Sequence, residues 1–447
     1  MNCGRMCRAI CNWKLLILNC QFCLLLLSAS VKGDETSSQN WTTWRGPSGQ
    51  GYVDDARVPL SWSDKENLLW STALPGKGNS TPIIWGERLF LTAASNSGNE
   101  RYVICVDRND GKVLWKQLAS KGVPPGRTHN WNGYASASCT TDGERVYAFF
   151  GTPGLFCYDM RGKLLWQHAF GTFTCAQGWG TAASPFLFEE LVIQNCDNDG
   201  PNALRKGEKE AAPMALVALD KFKGTIRWRT PRNQGRGFST PRLITTPKGR
   251  LELVLNGPSG VWSYDPRSGK EFWHMLRTDD KEQAKFGEPM PVSAGQIMVA
   301  SSGRPGPMQA FKLDGSGDIT HSHLVWEIRR KGRDVASPII WGDYLYAADR
   351  NAVLTCYELK TGKAMYSKRL SPGRQVLASP ICVQGKLLFL LDNGETVVLE
   401  PGPEYKVVRR NVLSGHGGLD FGASPVVVNG RLYLRSQSRL YCIGAKQ

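Results

Sequence analysis

Residues 103–116 read VICVDRNDGKVLWK. Val103 to Asp107 is an apolar run ending on an acid, Asn109, Asp110 and Gly111 are turn formers, and a second run carries Trp115. Two apolar runs joined by an Asp-Gly turn predict a β-hairpin, because the turn residues must reach positive φ. The turn and its aromatic return as GKLLW (Gly162 to Trp166), GTIRW (Gly224 to Trp228), GKEFW (Gly269 to Trp273) and GKAMY (Gly362 to Tyr366). In each copy the aromatic stands four residues after the Gly. A second phrase precedes each hairpin: STPIIWGERLFL from Ser80, SPFLFEELVIQ from Ser184, STPRLI from Ser239, SPIIWGDYLYAA from Ser337, SPICVQGKLLFL from Ser379 and SPVVVNGRLYLR from Ser424. A self-similar unit recurring every 40 to 60 residues or so predicts a closed β array, a β-propeller first among them.

The two ends of the chain complete each other. Leu68 to Leu74 (LLWSTAL) has the form of a Trp-bearing outer strand with no earlier strands of its own. From Ser424 three strands follow and the chain ends without a Trp strand. One strand at one end and three at the other predict a composite blade that closes the ring and removes its open sheet edges. First strands near Ser80, Ser136, Ser184, Ser239, Glu288, Ser337, Ser379 and Ser424 give eight units. The expected fold is all-β: an eight-bladed β-propeller of four-stranded antiparallel blades over residues 68–447. A lead and Gly/Pro-rich turn segment over 31–67 precedes it. Trp70, Trp115, Trp166, Trp228, Trp273 and Trp326, with Tyr366, occupy the repeat position and are expected to dock one blade on the next.

Residues 1–30 have the layout of a signal peptide: Arg5, Arg8 and Lys14, an apolar run from Leu15 to Leu27, then small residues. The run is short and interrupted, so no transmembrane span is expected in the mature chain, and the expected location is periplasmic or extracellular. Of thirteen Cys, five fall in that segment. Cys105, Cys157, Cys356 and Cys442 sit at one repeat position and are expected to be buried; Cys175 and Cys196 are the candidates for a disulfide in an oxidising compartment. Beyond residue 30 the chain carries 52 basic and 39 acidic residues, which favours acidic partners.

The repeats resemble those of the pyrroloquinoline-quinone (PQQ) type of β-propeller. The shared features are a strand ending in ALD, CVD or SYDP, the Gly-Lys turn and the Trp four residues on. The WRGPSGQG opening, ALDKFKGTIRWRTPR and the RLYLRSQSRLYCI ending are similar to a secreted family of planctomycete-type bacteria. The architecture hosts both non-enzymatic scaffolds, among them the lipoprotein of the outer-membrane barrel assembly machinery, and quinone-dependent dehydrogenases. The resemblance to the dehydrogenases implies a quinone between a Trp and a disulfide of adjacent Cys, with Ca²⁺ held by Glu, Asn and Asp. No adjacent Cys pair occurs in this chain. No cofactor is therefore expected, and PQQ with calcium is the alternative.

In such a topology the loops before the first strands converge on one channel mouth. They carry Lys77, Arg127, His129, Trp131, Trp179, Arg236, Lys285, Arg333, Arg374, His416 and Asp420. A collar of cations on a low-dielectric funnel attracts anions, so the expected ligand is an acidic polysaccharide or a protein, and nucleic acid is not an expected partner. Asp197, Asn198 and Asp199 are oxygen donors that form a weaker candidate for Ca²⁺. No nucleophile elbow, zinc-protease motif, P-loop or dinucleotide fingerprint is present. The leading expectation is a non-enzymatic binding or scaffold propeller, with a quinoprotein-like dehydrogenase as the alternative.

Overall fold

The computed structural model of the chain describes residues 39–55, 57–122, 128, 129, 131–175, 178–277, 286–303, 306–331, 335–413 and 421–446. Eight separate sheets radiate from an axis. Their innermost strands are Ile83–Trp85, Thr140–Thr141, Phe186–Phe188, Arg242–Thr245, Val292–Ala294, Ile339–Trp341, Ile381–Val383 and Val426–Val428, which number blades one to eight. Blade eight takes its outer strand, Leu68–Ala73, from the N-terminal side. That strand pairs antiparallel with Arg439–Ile443, with Trp70 opposite Cys442 and Thr72 opposite Leu440. The ring is thus closed by the two ends of one chain. Two blades exceed four strands: Gly317–Asp318 pairs parallel with the outer strand of blade four, and Tyr52–Val53 with the inner strand of blade seven.

Burial follows the position of a strand in its blade. Second and third strands such as Leu89–Ala94 and Val103–Val106 are fully buried, whereas the outer strand Val113–Lys121 leaves Leu114 and Leu118 exposed. Cys105, Cys157, Cys356 and Cys442 lie in third strands, and burial pushes each thiol up to about 12. The spacing of Gly and Trp has a geometric cause. The Trp of one blade lies on the turn Gly of the next: Trp70 on Gly111, Trp115 on Gly162, Trp166 on Gly224, Trp228 on Gly269 and Trp326 on Gly362. The indole N–H of Trp70, Trp115, Trp166 and Trp326 also donates to a turn carbonyl of that neighbour, Arg108, Met160, Lys221 and Leu359 respectively. Trp273 departs from the rule. Fully buried beneath the added strand Gly317–Asp318, it donates at 2.7 Å to Glu252 within its own blade. Tyr366 meets Tyr405 of blade seven edge-on, with centroids 5.6 Å apart.

Two features build the axis. At the head of the inner strands, backbone N–H groups donate to hydroxyls of the next blade. Thr81 donates to Ser138, Ser138 to Ser184, Ser184 to Thr240, Ser337 to Ser379, Ser379 to Ser424 and Ser424 back to Thr81, all at 2.9–3.1 Å. Blade five has Met290 at this position; its N–H donates to Ser337 at 2.9 Å, but its thioether interrupts the run of hydroxyls. Below this ring, residues 41–55 run across the end of the channel. Trp41 pairs with Ile84, Thr42 O accepts from Thr141, and Arg45 donates to Pro338 O. Gln50 accepts from Ser293, Gly51 O from Cys382, and Asp55 from Gly430. Those partners belong to blades one, two, six, five, seven and eight, so the segment expected as a lead is a plug packed under the ring.

The disulfide expected between Cys175 and Cys196 is not formed: both are free thiols. Cys196 is buried in the core of blade three, while Cys175 turns to the Trp179 amide, which donates to its sulfur at 3.0 Å. The two side chains are held by different surroundings.

Candidate functional site

The residue two positions before each ring residue lines the axis: Asn79, Ser136, Ala182, Phe238, Glu288, Val335, Leu377 and Gly422. Together with the ring hydroxyls they bound a chamber of about 150 Å³. Trp44 of the plug lies at one end, and Trp131, Trp179 and Phe286 at the loop end. These last three come from the loops that precede the inner strands of blades two, three and five.

The aromatic cap is built by packing and by two amides. The His129 ring stacks on Trp179 at 4.2 Å and meets Trp131 edge-on at 4.8 Å. Trp179 meets Phe286 edge-on at 5.5 Å, and Arg350 of blade six lies 5.3 Å over Trp131. Asn79 donates its amide to Trp131 O at 3.1 Å and to Asn132 O at 2.7 Å. Asn132 in turn donates to Trp179 O at 2.5 Å. Each Asn reaches from one blade into the loop of the next, so the backbone under both indoles is fixed by polar contacts that ordinary loop residues lack.

Of the loop residues read from the sequence, Trp131 and Trp179 line the chamber, and His129 braces them from outside. Lys77 is exposed and lines, with His129 and Tyr134, a separate cleft of about 440 Å³. Arg236, held at a φ of 57°, pairs with Asp199 at 3.1 Å and lies over Phe286. Arg374 lies beside Asp392, whose carboxyl is pushed up by burial and accepts from Gln375 N–H. Arg127, Lys285, Arg333, His416 and Asp420 lie outside the described residues. Among the described residues that line the chamber, Glu288 is charged and no Lys or Arg is present. Of the described cations among these, Lys77, Arg236 and Arg374, none lines the chamber, and the last two stand beside acids.

The candidate calcium donors are engaged by protein groups. Asp197 forms a buried two-point pair with Arg232 at 2.9 and 3.1 Å. Burial alone would lower the Arg232 pKa, but Asp197 and Tyr264 beside it push it up. Asn198 accepts from Thr174 and from Gly200 N–H, and Asp199 accepts from Arg236. These contacts tie blades three and four together. Among the described residues no group of three or more His, Cys, Asp or Glu is placed to hold a metal ion.

Phe238, Glu288, Asn79 and Asn132 escaped the reading of motifs, which followed Gly-rich loops and charge. A signal was present, since the column two residues before each Ser/Thr–Pro could be read down the repeats.

A family profile described as "Outer membrane protein assembly factor BamB" matches residues 52–177, 99–242, 211–400 and 257–447. The chain belongs to this PQQ-type propeller family. Among solved structures it is similar to BamB from Moraxella catarrhalis, at 13% identity and a TM-score of 0.60, covering 85% of this chain and 98% of that one. It is also similar to the quinohemoprotein alcohol dehydrogenase of Comamonas testosteroni, at 12% identity and a TM-score of 0.61, covering 93% and 82%. Identities this low establish the shared fold alone. No curated protein matches the chain in sequence. The dehydrogenase arrangement of adjacent-Cys disulfide, Trp and acidic Ca²⁺ ligands is not supplied by the described residues: the chamber offers one carboxylate and no cysteine. No helix among the described residues is long and apolar enough to cross a membrane.

Proposed function

We propose that the chain is an exported, non-enzymatic binding propeller whose recognition site is the axial chamber under Trp131 and Trp179. The observation that carries this reading is the aromatic cap: two indoles held by Asn79 and Asn132 over a channel plugged at its far end. Pockets of this kind, mostly apolar with a few placed polar groups, are where proteins hold ligands. The described lining, aromatic rings and hydroxyls with one carboxylate, suits a small ligand with an apolar face and a polar edge. The net positive charge of the chain serves encounter with an acidic partner or surface. The family description and the apolar start of the sequence support export and a protein partner for the outer faces.

Two measurements test the reading. Purified protein titrated with PQQ and Ca²⁺ is expected to show no dye-linked alcohol oxidation above the protein-free control; turnover would make it an enzyme. A thermal-shift screen of small metabolites is expected to return ligands whose stabilisation is lost in Trp131→Ala. A screen with no such ligand overturns the chamber as a site.

A further inference from the structure

We infer that a cleft between the loops of blades one, two and three is a second ligand site, which takes a small molecule carrying an oxyanion, a phosphoryl or a carboxylate group. The cleft shares no lining residue with the axial chamber and does not rest on it.

Arg101, in the third strand of blade one, lines this cleft of about 350 Å³ together with Tyr134, Thr152, Cys175, Arg205 and Lys209. Arg101 is 5% exposed; its Nε donates to Tyr134 O at 3.3 Å and its guanidinium lies 5.4 Å over the Tyr134 ring. Its Nη1 is buried and has no hydrogen-bond partner among the described residues. A buried donor left unmade is costly, and a buried cation without a counter-ion more so. The acid next to it in sequence does not serve. Glu100 points to the other face of the strand, toward Lys121 at 3.4 Å and the Tyr102 hydroxyl. Burial lowers the Arg101 pKa, and the group that acts against this is Tyr134 rather than a carboxylate.

The rest of the described lining has the same sign. Arg205 donates to Cys175 O at 3.3 Å, and Lys209 stands exposed four residues on. Glu208 also lines the cleft, but its carboxylate accepts the Arg205 backbone N–H at 2.7 Å. Residues 123–127, 130, 176 and 177 lie outside the described residues; by sequence they add Arg127 and no acid to these loops. Three cations against one engaged carboxylate favour an anion. A guanidinium presents paired N–H groups that match the oxygens of a phosphoryl or carboxylate group. Thr152 adds a donor: its hydroxyl accepts the Phe173 N–H at 3.1 Å and keeps its own proton to give. The volume falls within the roughly 300–1,000 Å³ of small-molecule pockets, so the cleft has room for the molecule that carries the anion.

The test is a calorimetric titration at constant ionic strength with inorganic phosphate and with citrate, sodium chloride being the control. At least one of the two is expected to bind, and which one assigns the group. Arg101→Met is expected to weaken binding at least about tenfold. Arg205→Ala and Lys209→Ala together, both at exposed positions, are expected to weaken it in a protein of unchanged melting temperature, which covers the case of an Arg101 variant that does not fold. Among the described cysteines Cys175 alone is not buried. Its alkylation in the unaltered protein, followed by mass spectrometry of its peptide, is expected to slow with the bound anion and not with chloride. Trp131→Ala is expected to bind the anion as the wild type does; loss there would place the anion in the chamber and overturn the inference. A titration in which neither anion binds would overturn it, as would binding that leaves Cys175 alkylation unchanged and survives the loss of Arg205 and Lys209.

Discussion

Gly111 of blade one lies against the indole of Trp70, the aromatic of the strand that closes blade eight; a Cβ at Gly111 would come within 2.6 Å of the Trp70 ring. Gly111 also has a φ of 78°. The closure of the ring therefore depends on a residue with no side chain at a left-handed position. Gly111→Ala is expected to cost about 2–4 kcal/mol, from strain and overpacking together. Gly86→Ala, at a φ of 54° with nothing within 4 Å, is expected to cost only about 1–2 kcal/mol. Denaturant melts of the two variants give the comparison.

The hydroxyl ring makes a second prediction. Ser379→Ala removes the acceptor of Ser337 N–H, which lies 2.9 Å away, and is expected to destabilise by about 1–3 kcal/mol. Met290→Ser would restore a hydroxyl where the run is interrupted, yet Met290 is buried at 2% exposure. Losing that burial costs about 1.5–3 kcal/mol against about 1 kcal/mol for a new hydrogen bond, so the completed ring is expected to be less stable. A higher melting temperature for Met290→Ser would contradict this balance.

Asp55 links the plug to blade eight and gives a pH dependence. Burial pushes its carboxyl up, but hydrogen bonds from Arg57 and the Gly430 N–H outweigh this and hold it below the ordinary 3.8. A depressed carboxylate contributes stability above its unfolded pKa and loses it as pH falls through the folded value. The Arg57 side chain is largely exposed, so its ion pair adds little. Asp55→Asn is expected to cost about 1–2 kcal/mol at neutral pH. The gap between variant and wild type should be flat above about pH 5 and close below pH 4. A gap that persists in acid would show that the carboxylate is not its source.

The architecture was legible in the sequence because the repeat pairs a turn Gly with a Trp four residues later, and that spacing is the docking contact itself. Closure was legible because Leu68 to Leu74 and the strands after Ser424 are complementary fragments of one unit. Trp273 could not be foreseen, since its inward turn depends on Gly317–Asp318 covering that edge, a contact between distant parts of the chain. The plug was missed for a related reason: residues 41–55 spread their bonds over six blades and carry no periodic pattern. At the site the two tryptophans were found because aromatic side chains in Gly-rich loops stand out. That the described lining carries no Lys or Arg was hidden. Charge counts place Arg236 near the mouth, but only coordinates show it turned to Asp199.

Asn132 carries the prediction for the cap. Its amide holds Trp179 O and its own carbonyl receives Asn79. Asn132→Ala keeps the backbone carbonyl that receives Asn79 and is expected to leave the fold intact within about 1–2 kcal/mol while loosening the Trp179 indole. Acrylamide quenching of tryptophan emission should rise, and ligand affinity should fall although Asn132 gives up no ring contact. Unchanged quenching would mean that the aromatic packing alone sets the cap.

The most direct measurement of the central claim is a crystal structure of the protein soaked with the ligands that the thermal-shift screen returns. The account predicts ligand density inside the axial chamber, against Trp131 or Trp179 and within hydrogen-bond reach of the hydroxyls of the ring that includes Ser138 and Ser424. A ligand seated instead in the cleft beside Lys77, or an axis that holds only water at every soak, would contradict it.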